Sequence, residues 1–151
     1  MASILSVVGA KTTLTTSLLN SLASGAYAAV GTINHATNDP LDVLVEVRVT
    51  PGTVADPKQV LVFAKGSLDG TNFTSGPESG TTATDENNLV YVGSIPCNSN
   101  ATEQAGIFSL AAAYGGVLPQ ASKIIIKNET GAALAASGHA VYYSEVAGAS
   151  A

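Results

Sequence analysis

Apolar and polar residues alternate most regularly from Leu41 to Thr50, where Leu41, Val43, Val45, Val47 and Val49 are set against Asp42, Glu46, Arg48 and Thr50. A period of two predicts a strand with one buried and one wet face, which Pro51-Gly52 then ends. From Gln59 to Lys65 the chain is apolar at successive positions, which predicts a strand internal to its sheet. Tyr27 to Thr37 reads as a strand broken by Asn38-Asp39-Pro40, and Leu89 to Ile95 as one stopped by Pro96. Glu103 to Leu110 also alternates, while Ile107, Leu110, Ala111 and Tyr114 share a helical face. A strand running into a helical turn that Gly115-Gly116 ends satisfies both patterns.

Three other segments carry turn or helix signals. Lys123 to Lys127, Gly131, Ser137-Gly138 and His139 to Ser144 predict two antiparallel strands joined as a hairpin near the C-terminus. Asp69-Gly70 carries hairpin turn chemistry. Leu14, Leu18, Leu19 and Leu22 are spaced for a helix that Gly25 would close. Between the strands, Thr74 to Asn88 is a loop dense in Gly, Ser, Thr and acid. Seven or eight short strands separated by turns predict an all-β fold: an antiparallel β-sandwich, jelly-roll-like, with an extended N-terminal arm and one short helix.

Composition narrows this further. A chain of 151 residues is expected to form one domain, with residues 1–11 as the arm, 12–146 as the sandwich and 147–151 as a tail. Ala26-Tyr27-Ala28 imitates a signal-peptidase site, but the preceding segment lacks a basic start and is interrupted by Lys11, so residues 1–11 are read as mature sequence. Charged residues are 11% of the chain, against about 25% in ordinary soluble domains. Such a surface suits partial cover by partners. No apolar run approaches the roughly 18 residues that span a bilayer, so a soluble chain without a membrane partner is expected. The net charge is −5 and the basic residues are scattered, which argues against nucleic acid, since phosphate neutralisation needs clustered Lys and Arg.

Reactive chemistry is hard to assemble from these residues. His35 and His139 are far apart in sequence, without nearby His or Cys, and Asp39/Asp42 and Asp85/Glu86 lack the oxygen-ligand spacing of a calcium loop. No Gly-x-Ser-x-Gly elbow occurs. Cys97 is the single cysteine, expected to be a small buried side chain with no disulfide. His139 is expected to pack, and Asp85-Glu86 to be a solvated charge pair. Asn72, Asn100 and Asn128 head Asn-x-Thr triplets that chance explains in so Asn- and Thr-rich a chain. No catalytic residue, metal or cofactor is expected, and the chain reads as a structural protein and not an enzyme.

At Gly66-Ser67-Leu68-Asp69-Gly70-Thr71-Asn72-Phe73, and again from Leu118-Pro119 through Lys123 to Asn128 and Gly131 with Ser137-Gly138, the chain resembles capsid decoration, or cement, proteins of tailed bacteriophages. The likeness extends loosely from Leu41 to Tyr143 and rests on the order of the motifs. It implies a β-sandwich on the outer capsid surface of a virion, made in the bacterial host cytoplasm, with the major capsid protein and its own copies, as a homotrimer, for partners. No catalytic residue transfers from that group.

Within this reading the capsid-binding residues are expected in two places: Ile4, Leu5, Val7 and Val8 of the arm, and Thr81, Asp85 and Glu86 of the polar loop. The arm would add along a sheet edge. The alternative is a head-fibre, tail-appendage or carbohydrate-binding sandwich, in which Tyr91, Tyr114, Tyr142 or Tyr143 would form a stacking surface.

Overall fold

A computed structural model describes residues 4–150; residues 1–3 of the expected arm and Ala151 of the expected tail lie outside the described residues. The strands are β1 (Ile4–Val8), β2 (Thr12–Thr15), β3 (Tyr27–Asn34), β4 (Asp42–Val49), β5 (Gln59–Ser67), β6 (Ser79–Gly80), β7 (Val90–Pro96), β8 (Gln104–Ser109), β9 (Ala121–Glu129) and β10 (Ala140–Ser150). A four-residue helix, α1 (Leu110–Ala113), and a 3-10 turn at Glu86–Asn88 complete the regular structure of the described residues.

These strands form two antiparallel sheets. The first has the order β1-β10-β4-β8 with β2 also on β10, and the second β6-β3-β9-β5-β7. Counting only β2, β3, β4, β5, β7, β8, β9 and β10, the first sheet holds the first, eighth, third and sixth strands. The second holds the second, seventh, fourth and fifth. That is the jelly-roll order, in which most connections cross from sheet to sheet. The core between the sheets is built from Val43, Val45, Val47 and Val49 of β4 facing Val60, Val62, Ile124 and Ile126, with Val30, Ile33, Leu110 and Val141 around them.

The β4 alternation is realised, with every second residue fully buried. β8 runs into α1, and Ser109 caps that helix by accepting a hydrogen bond from the Ala112 N–H at 3.0 Å.

Three expectations are corrected. The segment after Thr15 is not a helix: Thr12–Thr15 pairs with β10, and the Thr15 hydroxyl then accepts from the N–H groups of Ser17 and Leu18. Ser21, at φ 55°, donates to the Ala135 carbonyl and breaks any helical run. Leu14, on β2, and Leu19 and Leu22, from an irregular turn, still reach the core. The two C-terminal strands are not a hairpin either, because β9 lies in the second sheet and β10 in the first. Their link, residues 130–139, crosses the end of the sandwich, where Leu134 plugs the core and bridges to Pro51. Asp69-Gly70 does form a turn, closed by the Asp69 carboxylate accepting from the Thr71 and Asn72 N–H groups at 2.8 and 2.7 Å. Just beyond it the Thr74 N–H donates to the Gly66 carbonyl at 3.1 Å, but no strand pairs with β5 there: the chain travels to the far edge, where β6 pairs with β3, and β7 is the strand that returns beside β5.

The expected arm and tail are one unit. β1 pairs with the end of β10 from Ile4 opposite Ser150 to Val8 opposite Val146.

Candidate partner-binding surfaces

The outer faces of the two sheets differ in kind. On the second sheet, Lys123, Ile125 and Lys127 alternate outward from β9. Ile125 faces Phe63 and Ala29 across the strand pairs. With Tyr27 and Leu89 these side chains form a second, smaller apolar cluster outside the sandwich core. The polar loop 74–88 lies over it. Leu89 anchors the end of the loop and packs on Gly76, whose φ of +131° and 2.6 Å clearance from Leu89 Cδ2 leave no room for a side chain.

Charges surround this cluster. Lys65 and Lys123 sit directly opposite each other on β5 and β9, a pairing that repulsion would forbid without an anion between them. Glu78 supplies it, at 2.8 Å from the Nζ of each. Lys127 is held by Glu86 at 2.6 Å and Glu129 at 2.9 Å, and Tyr27 donates its hydroxyl proton to the same Glu86. Burial alone would raise the pKa of Glu78 and Glu86; hydrogen bonds from Lys123 and Lys65, and from Lys127 and Tyr27, outweigh it and hold both below the ordinary value of 4.5. For Lys127, burial disfavours the charge, but Glu86 and Glu129 raise its pKa on balance. Partly exposed ion pairs are worth about 0–1 kcal/mol each, whereas burying side chains such as Phe63 and Ile125 is worth about 1.5–3 kcal/mol apiece. The apolar cluster therefore holds the loop down, and the ion pairs fix where it sits and satisfy lysines that burial would otherwise penalise.

The first sheet has no such covering layer among the described residues. The outer face carries Leu44, Glu46, Ile107, Tyr142 and Val146, and Ile107 is 64% exposed. Lys11 lies over the Tyr142 ring at 4.1 Å, and the Arg48 guanidinium binds Glu46 and Glu103 at the far end. β4 ends its pairing at Asp42 opposite Val146. Beyond that point β10 continues with β1 as a two-stranded ribbon roughly 13 Å long, at about 3.3 Å per residue. Leu5, Val7 and Val8 are 55%, 49% and 57% exposed on it.

The site residues expected from sequence thus fall in two separate places. Ile4, Leu5, Val7 and Val8 are brought together on β1, at the edge of the first sheet. Thr81, Asp85 and Glu86 lie in the loop over the second sheet. Thr81 and Asp85 are exposed, and Asp85 takes φ 60° before the 3-10 turn. Glu86 is not the solvated charge expected, because Lys127 and Tyr27 hold it. Nothing in the sequence pairs Glu86 with Lys127; the outward alternation of Lys123, Ile125 and Lys127 on an internal strand was the available sign that something must cover that face.

Both imidazoles are buried. His139 Nδ1 accepts from the Thr50 N–H at 3.1 Å, which leaves Nε2 protonated to donate to the Ala135 carbonyl at 2.9 Å. His35 Nε2 is 2.8 Å from the Ser122 hydroxyl, and burial lowers the His35 pKa. Ser122 is fully buried, so this pair offers no open nucleophile. Cys97 is buried, and burial pushes its thiol up to about 11. Asn128 is buried too, its amide bonded to the Leu22 and Ala132 carbonyls and its carbonyl oxygen to Thr130, so it is not open to glycosylation. Among the described residues no cluster of His, Cys, Asp and Glu is placed to hold a metal, and no helix is long and apolar enough to cross a membrane. The tyrosines are dispersed: Tyr91 stands on the second sheet, Tyr142 faces out from the first, and Tyr114 and Tyr143 pack against the core.

The described structure is thus an antiparallel jelly-roll sandwich with one outer face covered by its own loop and the other open. No protein-family model matches the chain, and no curated protein matches it in sequence.

Proposed function

We propose that this chain is a structural virion protein that binds the outside of a bacteriophage capsid and clamps adjacent major-capsid subunits, acting as a homotrimer. The observation that carries the reading is the ribbon of β1 and the end of β10. It has five residue pairs, no charged residue from Ile4 to Ala10 or from Val146 to Ser150, and no covering layer among the described residues. Sheet edges that must avoid other chains carry charge, proline or a bulge, and a two-stranded ribbon in water is marginal on its own. An uncharged one that extends past the body of the sandwich is suited to completion by a neighbour.

The physical logic of a clamp follows. Binding only the assembled shell stabilises that shell by mass action. A trimer engaging several subunits gains through effective concentration even where each contact is modest, provided each buries more than about 1,000 Å² in total. The test is a reconstruction of particles made with and without the chain, where added density outside the shell is expected and its absence overturns the reading. Sedimentation of the isolated protein at three times the chain mass is the companion expectation. Deleting residues 1–11 should leave the sandwich folded, because β2 begins at Thr12, while weakening binding to undecorated heads.

A further inference from the structure

The strand registers place several distant segments at one end of the sandwich. β3 ends there at Asn34, β5 at Ser67 and β8 at Ser109, while β4 starts there at Asp42 and β9 at Ala121. This pole comprises the turns 35–41, 68–72 and 114–120, and the ribbon leaves from it. Nine large apolar side chains among the described residues stand exposed, and six of them are here: Leu5, Val7 and Val8 on the ribbon, with Leu41, Leu68 and Val117 at 55%, 88% and 79% exposure on the turns. Between Leu41 and Val117 opens a cleft of about 430 Å³, walled by His35, Pro40 and Pro119. So large a share of exposed apolar surface at one end of a chain marks an interaction site.

The charges there say what fits. Asp39, Asp42, Asp69 and Glu145 belong to this pole, and none makes an ion pair; among the described residues one further carboxylate side chain, Asp85 in the loop over the second sheet, is also without one. Asp42 accepts from Ser109 and Ala111, Asp69 from its own turn, and Glu145 from Asn38, all neutral donors that leave the negative charge in place. A second copy of the chain does not supply the complement. Of its six basic residues, five are already in ion pairs, and the sixth, Lys11, lies over Tyr142. Two such poles face to face would set like charges together, and polyanions and acidic membranes are repelled for the same reason.

We propose that this pole, ribbon and cleft together, is the docking surface for a different protein, one that presents apolar side chains ringed by lysine or arginine. An apolar side chain of the partner fills the cleft between Leu41 and Val117 while its cations meet the four carboxylates. The inference rests on the capsid-binding reading, with the shell subunit as that partner, and leaves self-association to other surfaces.

Undecorated heads serve as the probe, bound by the full chain and by three variants. Leu41→Asp with Val117→Asp should bind at least about tenfold more weakly, the loss expected when central anchors are removed. Leu18→Asp, a matched change at the opposite pole where Leu18 is 54% exposed, should bind within about twofold of the unaltered chain, a change too small to mark an anchor. Asp39→Asn with Glu145→Gln should bind severalfold more weakly at low salt and lose part of the salt dependence of the unaltered chain. All five positions are at least partly solvent-exposed, and a thermal melt reports whether each variant folds. Hydrogen exchange on the unaltered chain gives a readout without substitutions: amides of 36–41 and 116–118 should gain protection on the heads. Pole variants that bind normally, or protection confined to the sheet faces, overturn the docking surface while the capsid role stands. Failure of the unaltered chain to bind heads overturns the capsid role, and this inference with it.

Discussion

The ring of Phe108, on β8, occupies the space that a side chain on Gly93, on β7 of the opposite sheet, would need. A Cβ added at Gly93 would lie 2.3 Å from Phe108 Cε1, and one at Gly106 would lie 2.8 Å from its Cζ. Two strand glycines thus form a slot for one aromatic ring where the chain passes from one sheet to the other. Glycine inside a strand is otherwise unfavourable and marks such close approaches.

Gly93→Ala should therefore destabilise the fold by about 1–3 kcal/mol, the usual range for forcing extra volume into a packed site. Chemical denaturation measures it. An unchanged midpoint would mean that the ring moves aside at no cost and that the slot is not a fixed feature.

The loop over the second sheet is held by apolar burial more than by charge. Leu89→Ala should cost about 2–3 kcal/mol, at the low end for a buried leucine because the cluster is small. It should also expose residues 74–88 to proteolysis while the sandwich stays intact. A cleavage pattern identical to that of the unaltered chain would show that the loop is held some other way.

Acid should loosen the same layer. Glu78 and Glu86 titrate below 4.5 in the folded chain, so near that pH the unfolded chain binds more protons. Their contribution is complete above about pH 4.5 and is lost as the pH falls through the lower folded values. Denaturation free energy measured from pH 6 downward should drop in that window. Replacing both residues with Gln should lower stability at neutral pH and flatten the acid limb. Parallel acid limbs in the two proteins would remove these carboxylates from the account.

Much of the fold was legible as pattern. The valine alternation of β4, the two-sided apolar run of β5 and the strand-to-helix change at Ser109 each follow from a local period that secondary structure must match. The leucines after Thr12 misled because their spacing suits a helix, whereas Leu14, Leu19 and Leu22 reach the core from a β-strand and a turn pinned by Thr15 and Ser21, and Leu18 stays exposed. The arm was legible as exposed and apolar. That it pairs with the tail, and that Leu41 and Val117 share a cleft, depends on residues far apart in the chain.

By itself the sequence determined seven of the strands, β3, β4, β5 and β7 to β10, which of their faces are apolar, and that charge is scarce, because these are properties of neighbouring residues. Tertiary structure alone decided the partners. It sent β9 and β10 to different sheets, laid loop 74–88 over Ile125, set Glu78 between Lys65 and Lys123, and collected most of the exposed apolar side chains and of the unpaired carboxylates at one pole. The physical reason is that strand order and inter-sheet contacts are chosen by the packing of the whole chain, and no local period encodes which distant strand lies alongside.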